Sequence, residues 1–225
     1  MAVYLLPEEP IFPPAGEAEA DGLIAIGGDL SAPRLLQAYA QGIFPWFVEY
    51  DEFYWYSPDP RLLLFPGEYK VPGSLRRIVK QESFEVKFDT DFDRVIRACA
   101  AAGRPEQDGT WISSEFIDGY TELYRLGYAH SVESYFEGEL AGGLYGVSIG
   151  HAFFGESMFF TRSNASKVAF YMLVERIRKS GFLFIDCQVA TPHMISLGAR
   201  PVPRKDYLAM LGEAIKMPTM KGPWR

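Results

Sequence analysis

Thiols and imidazoles are scarce in this sequence. Its two cysteines, Cys99 and Cys187, stand far apart and form no CxxC pair. That argues against a zinc site or a disulfide framework and suits two packed thiols in a reducing compartment. The three histidines, His130, His151 and His193, have no metal-ligand spacing such as HExxH. There is no Walker loop, no GxSxG elbow and no cofactor motif. No run of 18 apolar residues occurs, so no membrane-crossing helix is expected. The opening stretch MAVYLLPEEPIFPP lacks a basic start and is broken by Pro7, Glu8 and Glu9, which excludes a signal peptide. Basic charge is in deficit as well. Lys and Arg number 22 against 29 Asp and Glu, a net −7, so a coat of positive charge is ruled out, while a local basic patch is not.

Apolar residues are plentiful. Hydrophobic types make up 48% of the 225 residues and aromatics 15%, enough to bury a full core without staples and too many for a disordered chain. The length suits one medium domain or a small domain joined to a larger one. The first 30 residues read as extended chain and turns, ending at Gly27-Gly28-Asp29. Ser31 and Pro33 then open a helix that stops at Gly42. GIFPWF (42–47) reads as a turn carrying large aromatics. FYWYS and RLLLF read as strands, LRRIVKQES as a short helix, FEVKF as a strand and 91–101 as a helix.

A second amphipathic helix is expected over 113–126. Strands SVESYFE and LAGGLYGVSIG follow, joined by the hairpin signal at Glu137-Gly138-Glu139. A strand is expected at 151–154, a long helix at 165–179, a strand over FLFIDCQV, a short helix over PHMISLG and a last helix at 205–216. This order is α+β with a mixed β-sheet. The expected division is a small N-terminal domain, 1–75, and a larger unit, 76–225, with the boundary inside 65–90.

Two carboxylates stand out by their surroundings. Strand periodicity puts Asp186 and Gln188 of IDCQ on one face and Cys187 on the other. A strand Asp is costly if buried without partners. It either caps the next helix or is held at a cleft with Gln188 beside it. In HAFFGESMFF, Glu156 and Met158 share a face of an extended strand and Ser157 opposes them. Either Gly155 makes a bulge that turns Glu156 to solvent, or Phe153 and Met158 wall an apolar pocket whose one carboxylate meets a cationic group. Trp46 and Trp111 are core residues or stacking platforms for a base. Arg76, Arg77 and Lys80 form the best compact basic cluster, on one helix face. It is a solvated surface or a phosphate contact.

Taken together, GLIAIGGDLSAPRLLQAYAQGIFPWF, WYSPDPR, GTWIS, GYAHSVE, LAGGLYGVSIG, FFGESMFF, NASKVA, IDCQV, SLGARPVPR and DYL resemble the bacterial leucyl/phenylalanyl-tRNA–protein transferase family, over about residues 20–211. The resemblance implies a small N-terminal domain and a C-terminal domain like the N-acetyltransferase (GNAT) fold. It implies transfer of Leu or Phe from Leu-tRNA or Phe-tRNA to the α-amino group of an N-terminal Arg or Lys, which marks the acceptor for degradation. It further implies that no metal and no organic cofactor is used. A cytoplasmic protein that binds no membrane is expected from the thiols and the missing apolar span, and a monomer is expected. Carried over residue by residue, it makes Asp186 and Gln188 the catalytic pair. Phe153, Glu156, Ser157 and Met158 fall at the aminoacyl pocket, Trp46 near the terminal adenosine, Trp111 at the cleft, and Arg76, Arg77 and Lys80 against the acceptor stem. Phe160 departs from the family pattern, where a small polar residue follows ESMF. Two rival functions share parts of this pattern. An acyl-CoA-dependent N-acetyltransferase needs a glycine-rich pyrophosphate loop, which ESMFFTRSNASK lacks. A non-catalytic tRNA- or peptide-binding adaptor has no use for Asp186 and Gln188.

Overall fold

The computed structural model describes residues 3–102 and 112–225. Two sheets organise them. The first contains β1 (Tyr4–Leu5), β2 (Leu23–Ile26), β3 (Phe44–Glu49) and β4 (Glu52–Tyr56) in the order β1-β2-β4-β3, with α1 (Ala32–Ala40) leading from β2 to β3. The second contains β5 (Arg61–Leu64), β6 (Glu85–Phe88), β7 (Ala129–Phe136), β8 (Glu139–Ile149), β9 (Ala152–Phe160), β10 (Phe184–Asp186) and β11 (Arg200–Val202). Its order is β11-β5-β10-β9-β8-β7-β6, antiparallel throughout except for the parallel β9–β10 pair. The other helices are α2 (Gly73–Lys80), α3 (Phe92–Ala101), α4 (Ser114–Arg125), α5 (Ala165–Lys179), α6 (Pro192–Ser196) and α7 (Arg204–Ala214). The fold is α+β with a mixed sheet, as expected. No helix among the described residues is long and apolar enough to cross a membrane.

The larger sheet is covered on both faces, and its strands alternate between two apolar layers. Leu62 and Leu64, Leu144, Phe153 and Ile185 face the layer that contains Phe170, Leu173 and Ile177 of α5. Leu63, Tyr145, Phe154 and Phe184 face the layer shared with Trp55, Phe116, Tyr120 and Tyr207. Burial on both sides is why RLLL carries no polar alternation. The β7–β8 hairpin turns at Glu137 and Gly138, with φ 53° and 83°, the left-handed pair that a two-residue hairpin requires.

Three segments differ from the sequence reading. GIFPWF is not a turn: residues 44–49 form β3. Pro45 has no N–H to donate, yet β3 is an edge strand, where a missing donor is tolerated. FLFIDCQV is strand only at 184–186, because Gln188 takes a left-handed φ of 62°. Asp186 and Gln188 therefore do not share a strand face. The strand expected at 151–154 continues to Phe160. The chain changes sheet between Tyr56 and Arg61, and Arg61–Leu64 pairs with β10 and β11.

Candidate active site

A cavity of about 360 Å3 opens beside β9 and β10, within the range of about 300–1,000 Å3 typical of small-molecule sites. Phe44, Pro45 and Trp46 of β3 bound it on one side, and Leu144, Phe153, Phe170, Leu173 and Ile185 give it an apolar wall. Polar groups are few: Glu156, Ser157, Gln188, Thr191 and His193.

Two bulges aim residues into this space. On β9, Gly155 pairs with Gly146 and Ser157 with Tyr145, so Glu156 is an extra residue without a cross-strand partner. The bulge breaks strict alternation, and Glu156, Ser157 and Met158 all reach the cavity lining. On β3, Pro45 pairs with Trp55 and Phe47 with Tyr54, which leaves Trp46 as the unpaired residue. Its half-buried ring sits edge-on to Tyr56 at 4.9 Å.

Glu156 does not turn to solvent. It is 8% exposed and meets no cation directly among the described residues. Tyr39 Oη donates to its Oε1 at 2.7 Å, Tyr120 Oη to its Oε2 at 3.0 Å, and Gln188 Nε2 to Oε1 at 3.0 Å. The two tyrosine hydroxyls also touch each other. Three O···O contacts thus join the tyrosines and the carboxyl, and the tyrosines supply two protons. The third contact is filled when Glu156 is protonated. Burial pushes the Glu156 carboxyl up to about 7, against an ordinary value of 4.5, with the tyrosine hydrogen bonds opposing the rise. The group is poised to gain or lose a proton near neutral pH.

Asp186 lies behind this wall. It is fully buried and is not among the cavity-lining residues. Arg61, equally buried, grips it with Nε at 2.8 and 3.1 Å from the two oxygens and Nη2 at 2.9 Å. Phe44 and Tyr207 flank the guanidinium at 4.6 and 4.9 Å from their centroids. Tyr207 Oη donates to Asp186 Oδ2, and the Gln188 backbone N–H to Oδ1, both at 2.8 Å. Asp186 thus holds Gln188 in its left-handed turn from below, and the Gln188 side chain bonds Glu156 above.

The structure therefore brings Gln188, Glu156, Ser157, Met158, Phe153 and Trp46 together around one cavity and sets Asp186 one layer back. Arg76, Arg77 and Lys80 are exposed on α2 and make no ion pair with another described residue. Ser74 and Leu75 at the start of that helix border a smaller hollow that shares Met158, Phe170 and His193 with the main cavity. Trp111 lies outside the described residues. Cys187 borders the cavity, and burial raises its thiol well above the ordinary range, which makes it a poor nucleophile. Phe160, 64% exposed, stands clear of the cavity lining. Sequence reasoning missed Tyr39, Tyr120, Arg61 and Tyr207. One signal pointed to Arg61: an Asp inside an apolar strand requires a buried cation or donors.

A family model described as leucyl/phenylalanyl-tRNA protein transferase matches residues 63–212, and a model of that transferase's N-terminal domain matches 28–59. A leucyl/phenylalanyl-tRNA–protein transferase of Anaeromyxobacter dehalogenans is 52% identical over 225 residues, covering all of this chain and 97% of that protein. Its counterpart in Syntrophobacter fumaroxidans is 55% identical over 215 residues, covering 96% of this chain and 92% of that protein. Among solved structures, a GCN5-related N-acetyltransferase from Kribbella flavida aligns at 13% identity and a TM-score of 0.41, over 79% of this chain and 63% of its own. L-PGS from Bacillus licheniformis aligns at 12% identity and a TM-score of 0.42, over 74% and 54%. The sequence matches, which run the length of the chain at about half identity, decide the relationship: the chain belongs to the leucyl/phenylalanyl-tRNA–protein transferase family.

Proposed function

We propose that this protein transfers a leucyl or phenylalanyl group from its tRNA ester to the N-terminal α-amine of an acceptor protein that begins with Arg or Lys, marking it for degradation. The observation that carries this reading is an apolar cavity with a buried carboxyl and a carboxamide hydrogen-bonded together on its wall. The apolar side takes the Leu or Phe side chain. Unbranched at the β-carbon, these enter past Met158, while Ile and Val clash.

The donor is already activated, so the protein's task is to position it and to manage one proton. The amine nitrogen forms a bond to the ester carbonyl carbon, the bond from that carbon to the ribose oxygen breaks, the nitrogen loses a proton and the ribose oxygen gains one. Orientation of the two reactants alone supplies about 7–11 kcal/mol in favourable cases. Glu156, near 7, matches an α-amine of reference pKa about 8 well enough to exchange a proton with it. Gln188 Nε2 is committed to Glu156, and its carboxamide oxygen is the acceptor for an amine N–H. Asp186, one of the catalytic pair that the resemblance implies, is assigned the positioning of Gln188 instead.

Trp46 stacks on the terminal adenosine, and α2 follows the acceptor stem with Arg76, Arg77 and Lys80. Use of aminoacyl-tRNA places the reaction in the cytoplasm. In this reading the protein acts as a monomer. We place the division between the small N-terminal unit and the catalytic unit near residue 60, where the strands change sheet. The test is incubation with labelled Leu-tRNA or acetyl-CoA and an Arg-initiated peptide. Labelled leucyl-peptide from the tRNA donor alone is the expected result. Acetylated peptide would make the protein an acetyltransferase, and tRNA binding without product would make it an adaptor.

A further inference from the structure

The segment after α7 returns to the large sheet and buries Trp224, which is 2% exposed. Its anchoring is specific. The Trp224 backbone N–H donates to Asp89 Oδ2 at 2.6 Å, and the same carboxylate meets His130 Nδ1 at 2.9 Å and the Ser131 N–H at 2.8 Å. The indole N–H donates to the Met220 carbonyl at 2.9 Å. The ring stacks on His130 at 3.8 Å and contacts Phe182 and Phe153, each at 5.9 Å between centroids. Gly222 allows the close approach: a Cβ there would stand 2.9 Å from His130 Cε1.

Phe153 connects this anchor to the cavity. It is fully buried, belongs to the same apolar layer as Trp224 and lines the cavity. Gly146 of β8 presses on its ring, since a Cβ at that position would lie 2.6 Å from Phe153 Cε1 and Cζ. Gly146 and Trp224 thus both pack against this ring, which leaves it little room in a close-packed layer.

We propose that Trp224, which does not itself line the cavity, is a specificity-determining residue that sets the depth of the apolar pocket by backing Phe153. This rests on the reading of the cavity as the aminoacyl pocket. Replacing the indole with a smaller group leaves space behind Phe153, lets its ring swing away and deepens the pocket. The larger phenylalanyl donor then gains relative to the leucyl donor.

The experiment compares kcat/KM for Phe-tRNA and Leu-tRNA, with one Arg-initiated peptide, in the full chain and in Trp224→Leu and Trp224→Phe. Trp224→Leu is expected to raise the Phe/Leu ratio about 5-fold or more, the scale on which apolar pockets discriminate groups of a few atoms. Trp224→Phe, which keeps an aromatic in the layer, is expected to shift the ratio in the same direction by about 2-fold, and it decides the matter if the Leu variant does not fold. An unchanged ratio with both donors slowed equally would reduce Trp224 to a stabilising residue and overturn the inference alone. A wild-type chain that transfers neither donor would overturn the aminoacyl reading and the inference with it.

Discussion

Glu156 and Asp186 are two buried carboxyls on neighbouring strands of one sheet, and their surroundings give them opposite tasks. Asp186 is met by a buried guanidinium, a tyrosine hydroxyl and a backbone N–H, which fix its position. Glu156 has two phenols and a carboxamide, and burial lifts it to about 7. Because that value stands above the ordinary 4.5, the folded protein holds an extra proton between the two, and stability falls as pH rises through that window. The full penalty is about 3 kcal/mol at most by linkage. Glu156→Gln, which mimics the protonated carboxyl, is expected to be as stable as the wild type at pH 4 and more stable at pH 8. Denaturant unfolding at the two pH values checks this, and a variant weaker than wild type at pH 8 would count against it. Arg61→Met is expected to act in the opposite sense. It leaves Asp186 buried and unpaired, at a cost of about 3–5 kcal/mol in the same measurement, and a decrease under about 1 kcal/mol would show that the pair does not hold the site together.

At the scale of elements, local signals carry far and then stop. Helix 165–179 and the turn at Glu137-Gly138 stand where periodicity and turn chemistry put them. β3 is hidden in the sequence because Pro45 argues against a strand unless the strand is known to lie at an edge, and edge position is a property of the sheet. Gly155 already suggests a bulge in β9. The sequence leaves open the side to which that bulge turns Glu156. Its partners Tyr39 and Tyr120 lie 117 and 36 positions away, on α1 and α4, beyond any periodicity argument. The basic face of α2 belongs to this scale too. Reversing Arg76, Arg77 and Lys80 to Glu is expected to weaken tRNA binding and to lower the slope of log K against log salt by about one for each phosphate no longer neutralised, with the rate at saturating tRNA kept. Filter binding across a salt series checks it, and an unchanged slope would place the tRNA elsewhere.

Across the whole molecule, the small sheet supplies Trp46 and Phe44, the large sheet supplies Glu156, and the turn after β10 supplies Gln188. The net charge of −7 confines favourable contact with a polyanion to a limited patch, and the exposed cations of α2 are the patch proposed above. Composition and motif order make the α+β class and the family legible. They do not show which of the two carboxyls faces the cavity, because that depends on a bulge in one strand and an ion pair between two others. The central claim is that Glu156 faces the reacting amine while Asp186 works from behind. Single-turnover transfer of labelled Leu to an Arg-initiated peptide, followed from pH 5 to 9 in wild type and Glu156→Gln, tests it most directly. The account predicts a wild-type rate that climbs with pH through two inflections, at about 7 for Glu156 and at about 8 for the free α-amine, and a variant about 100-fold slower that keeps only the second. A Glu156→Gln protein with the wild-type rate and the wild-type profile would contradict it.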